Sequence, residues 1–358
     1  MVDSPADSRI MRGPSAKWLR VAVTLGPALL LLIAGVVAIL TASGKDPGAT
    51  LYQFLNGALG SDNSRSDVVM RALPILLCSS GLLLTFTAGL WNIGIEGQMM
   101  LGALFATFIA RSVPEDGNAL LAVPAELLMG ALGGALWAGL TALLKTKGRV
   151  NEIFGGVALN FIASNILLFL LNGAWKAGNN PQTAPFKAPA LLPAMTANLS
   201  LSIPAILIAV VAFVAVFLLL RGTHWGLQLR AMGRSERSAF LLGVRTERNI
   251  LLSMMACGAL AGIAGAFQAI SPVSRTLLFP EVSGGLGFLA LLVVMLVNVQ
   301  PLWVPFVTLF FAIVPVGMLA IATTVDGSLG RVFESALVLI VVLTNGIRSR
   351  WQQPGDSN

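Results

Sequence analysis

The chain has 358 residues, of which 56% are hydrophobic and only 11% charged, with a mean hydropathy of +0.83. A soluble domain carries roughly 25% charged residues, so this composition belongs to an integral membrane protein. The net charge of +7 does not point to nucleic acid, because the basic residues sit between apolar runs, where membrane orientation places them.

The predicted fold class is an all-α polytopic membrane protein with about ten transmembrane helices. Each apolar run is long enough, at about 20 residues, to cross a bilayer, and the alternating ten-residue segments of a β-barrel are missing. The chain opens on a polar stretch with Arg9, Arg12, Lys17 and Arg20. The apolar run that follows exceeds the roughly 7–15 residues of a signal-peptide core, so it reads as an uncleaved first span. The ten expected spans are 20–42, 68–90, 95–111, 119–144, 151–172, 200–220, 249–270, 284–299, 302–322 and 332–347. The eighth and ninth are separated only by Asn298–Pro301, which leaves open one broken helix or two.

Charge tests the count. With the N-terminus inside, the cytoplasmic segments hold Arg9, Arg12, Lys17, Arg20, Lys145, Lys147, Arg149, Arg221, Arg230, Arg234, Arg237, Arg245, Arg248, Arg348 and Arg350, the majority of the 23 Lys and Arg. That asymmetry favours an even number of spans with both termini cytoplasmic. The domain organisation expected is a cytoplasmic tail 1–19, a transmembrane domain 20–348 and a cytoplasmic tail 349–358. Within the transmembrane domain, 172–199 is an outer loop and 221–249 a basic cytoplasmic loop.

Chemistry-bearing residues are few. Cys78 and Cys257 lie inside apolar runs as buried thiols, and the single His224 lies in the basic loop. The stretch Trp91–Ala103 holds Asn92, Glu96 and Gln98 among glycines. Such groups are costly in a membrane unless partnered or facing water. On a continuous helix Asn92 and Glu96 share a face and Gln98 turns away. Two uses are open: tethering a glycine-broken helix to its neighbours, which is favoured, or lining a solute pathway. A second polar cluster opens the fifth span. Asn151 suits a helix cap and Glu152 a helix N-terminus, while Asn160 and Asn165 lie deeper and need partners. Gln268 is a third candidate, since amides offer donors and an acceptor to neutral polar solutes.

Gly130/Gly134 and Gly258/Gly262 have the four-residue spacing of close helix packing. Ser283–Phe288 repeats the polar-glycine character of the first stretch and hints at two related halves. In the basic loop a short helix over about 235–242, ended by Gly243, would lie on the membrane or enter a partner's groove. The phosphate-binding loop, the Gly-x-Ser-x-Gly elbow and His-Glu-x-x-His are absent from the sequence, which argues against nucleotide hydrolysis or substrate cleavage by this chain.

Three of these features stand in the order seen in one family. The chain resembles the permease subunits of bacterial ABC importers in the branched-chain amino acid, ribose and nucleoside group, and nucleoside permeases most of all. Their Asn-x-Gly-x-Glu-Gly-Gln pattern stands complete as Asn92–Gln98, and their Asn-Glu…Leu-Asn-x-Ile-Ala pattern as Asn151–Ala163. Their Leu-Arg-Ala-x-Gly pattern stands as Leu229–Gly233, and Cys257–Gly265 matches a further small-residue motif with Cys in place of Ser. The chain departs from the pattern at Arg234–Ser238, where the family usually has an Asn, and in a more apolar eighth span.

The resemblance implies a type II ABC importer permease fold and alternating access across the bacterial cytoplasmic (inner) membrane. It implies no cofactor on this chain, with ATP and Mg held by a partner ATPase subunit. It implies a second permease subunit, in a heterodimer, and an external substrate-binding lipoprotein or periplasmic protein. Asn92, Glu96, Gln98, Asn160, Asn165 and Gln268 then become substrate-pathway candidates, and Arg230, Gly233, Arg234, Ser235, Glu236 and Gly243 ATPase-coupling residues. The expected solute is a nucleoside. The alternatives are a simple sugar such as ribose, or a secondary transporter, for which Glu96 is the intramembrane carboxylate available. A membrane enzyme is disfavoured.

Overall fold

A computed structural model describes residues 46–195, 201–271 and 276–321, with Thr41, Gly44 and Leu199. The expected spans 20–42 and 332–347 and both tails lie outside the described residues. The chain divides into two compact units, residues 58–316 and residues 1–57 with 317–358. Every candidate residue lies in the first.

Among the described residues there are eleven α-helices: α1 Pro47–Leu59, α2 Asp62–Thr87, α3 Ile95–Ala110, α4 Ala119–Thr146, α5 Glu152–Asn172, α6 Ile203–Gly222, α7 His224–Arg234, α8 Glu236–Leu241, α9 Thr246–Ile270, α10 Leu286–Leu296 and α11 Val304–Ile321. Six helical stretches are long and apolar enough to cross a membrane: α2, α4, α5, α6, α9 and Pro301–Ile321. The sequence did not anticipate α1 or α7.

Side-chain chemistry sets the helix starts. Ser61 accepts from the Ser64 N–H at 3.1 Å, Asn118 from Leu120 at 2.9 Å and Asn151 from Ile153 at 2.9 Å. Each satisfies an N–H that has no partner within the helix. Behind Asn151, Lys145 and Glu152 form an ion pair at 2.8 Å that ties the end of α4 to the start of α5.

α2 is buried along most of its length, whereas α6 buries only Ala205, Ala209, Val216 and Leu220. A helix apolar on all sides belongs either inside a bundle or against lipid, and these two take the opposite places. α9 is the hub, packing on α2, α3 and α4. The paired glycines make this possible: a β-carbon on Gly134 would strike the Gly258 carbonyl, one on Gly262 the Gly130 carbonyl, and one on Gly102 the Gly262 backbone. In lipid, helix association rests on such close contact rather than on the hydrophobic effect.

α3 and α10 are short. At 1.5 Å per residue their 16 and 11 residues reach about 24 and 17 Å, less than the roughly 30 Å hydrocarbon core. α10 stops because Asn298 (φ 50°) and Val299 (φ 57°) turn left-handed, and Pro301 then opens a new turn into α11. Spans eight and nine are therefore separate helices. A β-branched valine at positive φ is unusual, and the two terminal bonds Asn298 N–H to Met295 O and Val299 N–H to Val294 O hold it there.

The segment after α5 is bound down. Thr183 and Leu278 exchange two hydrogen bonds at 3.0 Å, and Phe186 donates to the Thr276 carbonyl at 2.8 Å. The Arg111 guanidinium lies 4.6 Å from the centre of the Trp175 ring.

Candidate functional site

The site begins where α2 stops. Gly89 (φ 78°) follows Ala88, the Gly89 N–H reaches the Phe86 carbonyl at 3.0 Å, and the Leu90 N–H reaches Thr85 at 2.9 Å. This is the paired-bond stop that glycine permits. The chain then runs without helix from Leu90 to Gly94 before α3 begins at Ile95.

Asn92 thus precedes the helix and does not share a face with Glu96, which corrects the spacing argument. Its partner is Gln98, the residue expected to turn away. Asn92 Nδ2 donates to Gln98 Oε1 at 3.0 Å, and Gln98 Nε2 donates to Asn92 Oδ1 at 2.9 Å. Asn92 Nδ2 also lies 3.1 Å from Cys257 Sγ on α9. Both amides are fully buried. They answer one another's polar demand and bolt the link to α9.

Glu96 reaches elsewhere. Its Oε1 accepts from the Gly285 N–H at 2.9 Å, and its Oε2 lies over Gly287, where a β-carbon would collide. Gly285 (φ 77°) caps α10, so the carboxylate sits where that helix presents unpaired N–H groups. The two polar-glycine stretches noted in the sequence therefore meet at one carboxylate.

Asn160 completes the cluster from α5. Its Oδ1 accepts from the Gly97 N–H at 2.8 Å and its Nδ2 donates to the Ile93 carbonyl at 2.9 Å. Gly156, a turn earlier, packs against the Gly94 backbone. Asn92, Glu96, Gln98 and Asn160 are thereby drawn together by the link and the first turn of α3. Asn165 and Gln268 are not among them. Asn165 is exposed on α5 and donates to the Phe161 carbonyl at 2.8 Å. It lies on an open apolar face of α5 with Phe161, Ile162, Ile166 and Phe169. Gln268 is half-buried on α9.

The basic loop is almost wholly helical. Ser235 ends α7 and caps α8, accepting from the Ser238 N–H at 3.2 Å, and Gly243 (φ 84°) follows α8. Arg230, Arg234, Ser235, Glu236 and Gly243 are all exposed. So are Phe240, Leu241 and Leu242, at 65%, 76% and 82%. Gly233 is exposed as well, but it is also pressed on Gly89 and the Thr87 carbonyl, so that a β-carbon there would collide with backbone.

A buried carboxylate escaped the sequence reading. Glu126, in the second turn of α4, is wholly buried, and neither carboxylate oxygen has a hydrogen-bond partner among the described residues. A single carboxylate inside an apolar run was the available signal, and Glu96 is consequently not the sole intramembrane carboxylate. Among the described residues, no group of three or more His, Cys, Asp or Glu is placed to hold a metal.

The model of the family described as branched-chain amino acid transport system / permease component matches residues 64–343. The glucose ABC transporter permease protein TsgB13 of Haloferax volcanii is 31% identical over 94% of this chain and 90% of its own length. The guanosine ABC transporter permease protein NupP of Bacillus subtilis is 27% identical, covering 73% of this chain and 75% of its own. The nucleoside ABC transporter permease protein NupB of Lactococcus lactis is 24% identical, covering 85% and 86% respectively.

Proposed function

Because the chain belongs to the branched-chain amino acid transport permease family, we propose that it is the membrane-spanning subunit of an ATP-driven importer for nucleosides. It is a transport component rather than an enzyme. The observation that carries the reading is α8, a short helix capped by Ser235 and ended at Gly243, which holds Phe240–Leu242 clear of the bundle among arginines. An ATPase subunit docks there, binds ATP and Mg, and drives alternating access. A second permease subunit completes the pathway, and an external binding protein delivers the solute at the opposite face. The complex sits in the bacterial cytoplasmic membrane with both termini of this chain and the loop 221–249 inside.

Within the chain we assign different work to the pathway candidates. Asn92, Gln98, Glu96 and Asn160 are engaged with protein groups and hold the α2–α3 link in shape. Asn165 has an exposed side chain on an open face of α5 between two phenylalanines, and it is the residue we assign to solute contact. An amide beside aromatic rings suits a solute with a flat face and polar edges.

The complete Asn92–Gln98 pattern favours nucleosides. A sugar reading has its own support in the 31% identity to a glucose permease. The test is reconstitution with the cognate ATPase, second permease and binding protein in liposomes, followed by uptake of labelled nucleosides and hexoses. ATP-dependent accumulation of nucleosides supports the reading. Accumulation of sugars alone replaces the substrate. Uptake by this chain without partners, on an ion gradient, overturns the mechanism.

A further inference from the structure

The helix that carries α8 is fixed to the bundle at three places. At its start, Thr223 Oγ1 donates to the Leu219 carbonyl of α6 at 2.7 Å and accepts from the Gly226 N–H at 3.1 Å. At its end, Gly233 lies on the backbone of Thr87 and Gly89, the entrance to the link that carries Asn92. Between them a polar chain runs to α9. Trp225 Nε1 donates to Asn249 Oδ1 at 3.1 Å, Asn249 Nδ2 donates to Gln228 Oε1 at 3.0 Å, and Gln228 Nε2 lies 3.2 Å from His224 Nδ1. Asn249 is only 4% exposed. Both ends of its amide are committed to α7, a full use that a buried amide requires.

The result is a closed triangle. α7 grips α9 through Asn249, α9 grips the link through Cys257 and Asn92, and the link grips α7 through Gly89 and Gly233. α8 stands outside it and joins it at both ends, to α7 through Ser235, the residue shared by both helices, and to α9 through the short connector 242–245. A displacement of α8 therefore reaches α7 and the start of α9 together. The hydrogen-bonded tie between α7 and α9, the hub helix, is Asn249.

We propose that Asn249 is a positioning residue for transport: with Trp225 and Gln228 it makes α7 and α9 move as one body, so that work done at α8 reaches the pathway. This rests on the ATP-driven importer reading. Asn249 touches neither solute nor nucleotide.

The experiment uses the full complex with its ATPase, second permease and binding protein in liposomes. It compares wild type with Asn249→Leu, Trp225→Phe and Gln228→Leu. Three quantities are read for each: subunits recovered together, basal ATP hydrolysis, and solute imported per ATP. Asn249→Leu is expected to assemble and to keep basal hydrolysis. Solute imported per ATP should fall about fivefold or more, the lower bound of ordinary coupling energies. Trp225→Phe and Gln228→Leu each remove one of the two bonds to Asn249 and should give smaller losses of the same ratio. Unchanged import per ATP in Asn249→Leu overturns the proposal. If Asn249→Leu fails to assemble, the two single-bond variants decide: a reduced ratio in both supports coupling, and a wild-type ratio in both refutes it. Absence of ATP-driven import by the wild-type complex would instead remove the importer reading itself.

Discussion

The reciprocal amide pair makes a quantitative prediction. Asn92→Leu removes both bonds to Gln98 and the contact with Cys257, and leaves the Gln98 amide buried with no partner. An orphaned buried amide costs about 1–3 kcal/mol, and the high end applies because Gln98 is fully enclosed. We expect Asn92→Leu to destabilise by about 3 kcal/mol. Gln98→Met leaves Asn92 with its Cys257 contact, so it should cost less, about 2 kcal/mol. The double variant replaces both partners with apolar groups of similar size and orphans nothing, so it should cost about 1–2 kcal/mol rather than the sum. The assay is unfolding in mixed micelles by titration with a denaturing detergent, for wild type, both singles and the double. Additive losses would refute the view that each amide exists to satisfy the other.

Three further variants separate the roles. Glu96→Gln puts an amide where the carboxyl group accepts from Gly285 and packs over Gly287, so recovery of folded complex and uptake should fall together; intact folding with abolished uptake would return Glu96 to the solute pathway. Gly262→Leu puts a side chain into the Gly130 carbonyl, and size-exclusion chromatography should show loss of the monodisperse protein; a normal profile would contradict the packing of α4 on α9. Asn165→Leu changes an exposed side chain, so stability should shift by less than about 0.5 kcal/mol while uptake falls; unchanged uptake would remove Asn165 from the pathway.

Much of this was legible in the sequence where the signal is local. Long apolar runs located the helices of eight expected spans to within a few residues, apart from the start of α2, because hydropathy is summed over a whole helix, although only six of them are long enough to cross a membrane. Asn151 as a cap and the paired glycines as a packing seam needed only short-range rules. The expected spans, ending at 90 and restarting at 95, left the link outside a helix, as the glycine stop at Gly89 does; only the shared-face argument for Asn92 and Glu96 carried a helix through Asn92 and failed. Apart from the local Asn92–Gln98 pair, the partners of the polar residues could not be read. Asn92 meets Cys257, 165 positions away, and Glu96 meets Gly285, 189 positions away, so both contacts exist only once the bundle has formed. α7 did leave a trace: Trp225, Leu229 and Met232 recur at helical spacing, but the surrounding arginines made the segment look like a solvated loop.

The central claim is that α8 is where an ATPase engages this chain. It is tested most directly by co-purifying the ATPase with wild type, Arg230→Glu, Gly243→Pro and Leu241→Asp from membranes. Gly243 has a φ of 84°, which proline cannot adopt, so Gly243→Pro breaks the turn that follows α8; Gly243, Arg230 and Leu241 are all exposed, and the three changes lie outside the buried bundle. The account predicts that all three variants retain a folded permease and lose the ATPase. Full ATPase recovery with every variant would contradict it.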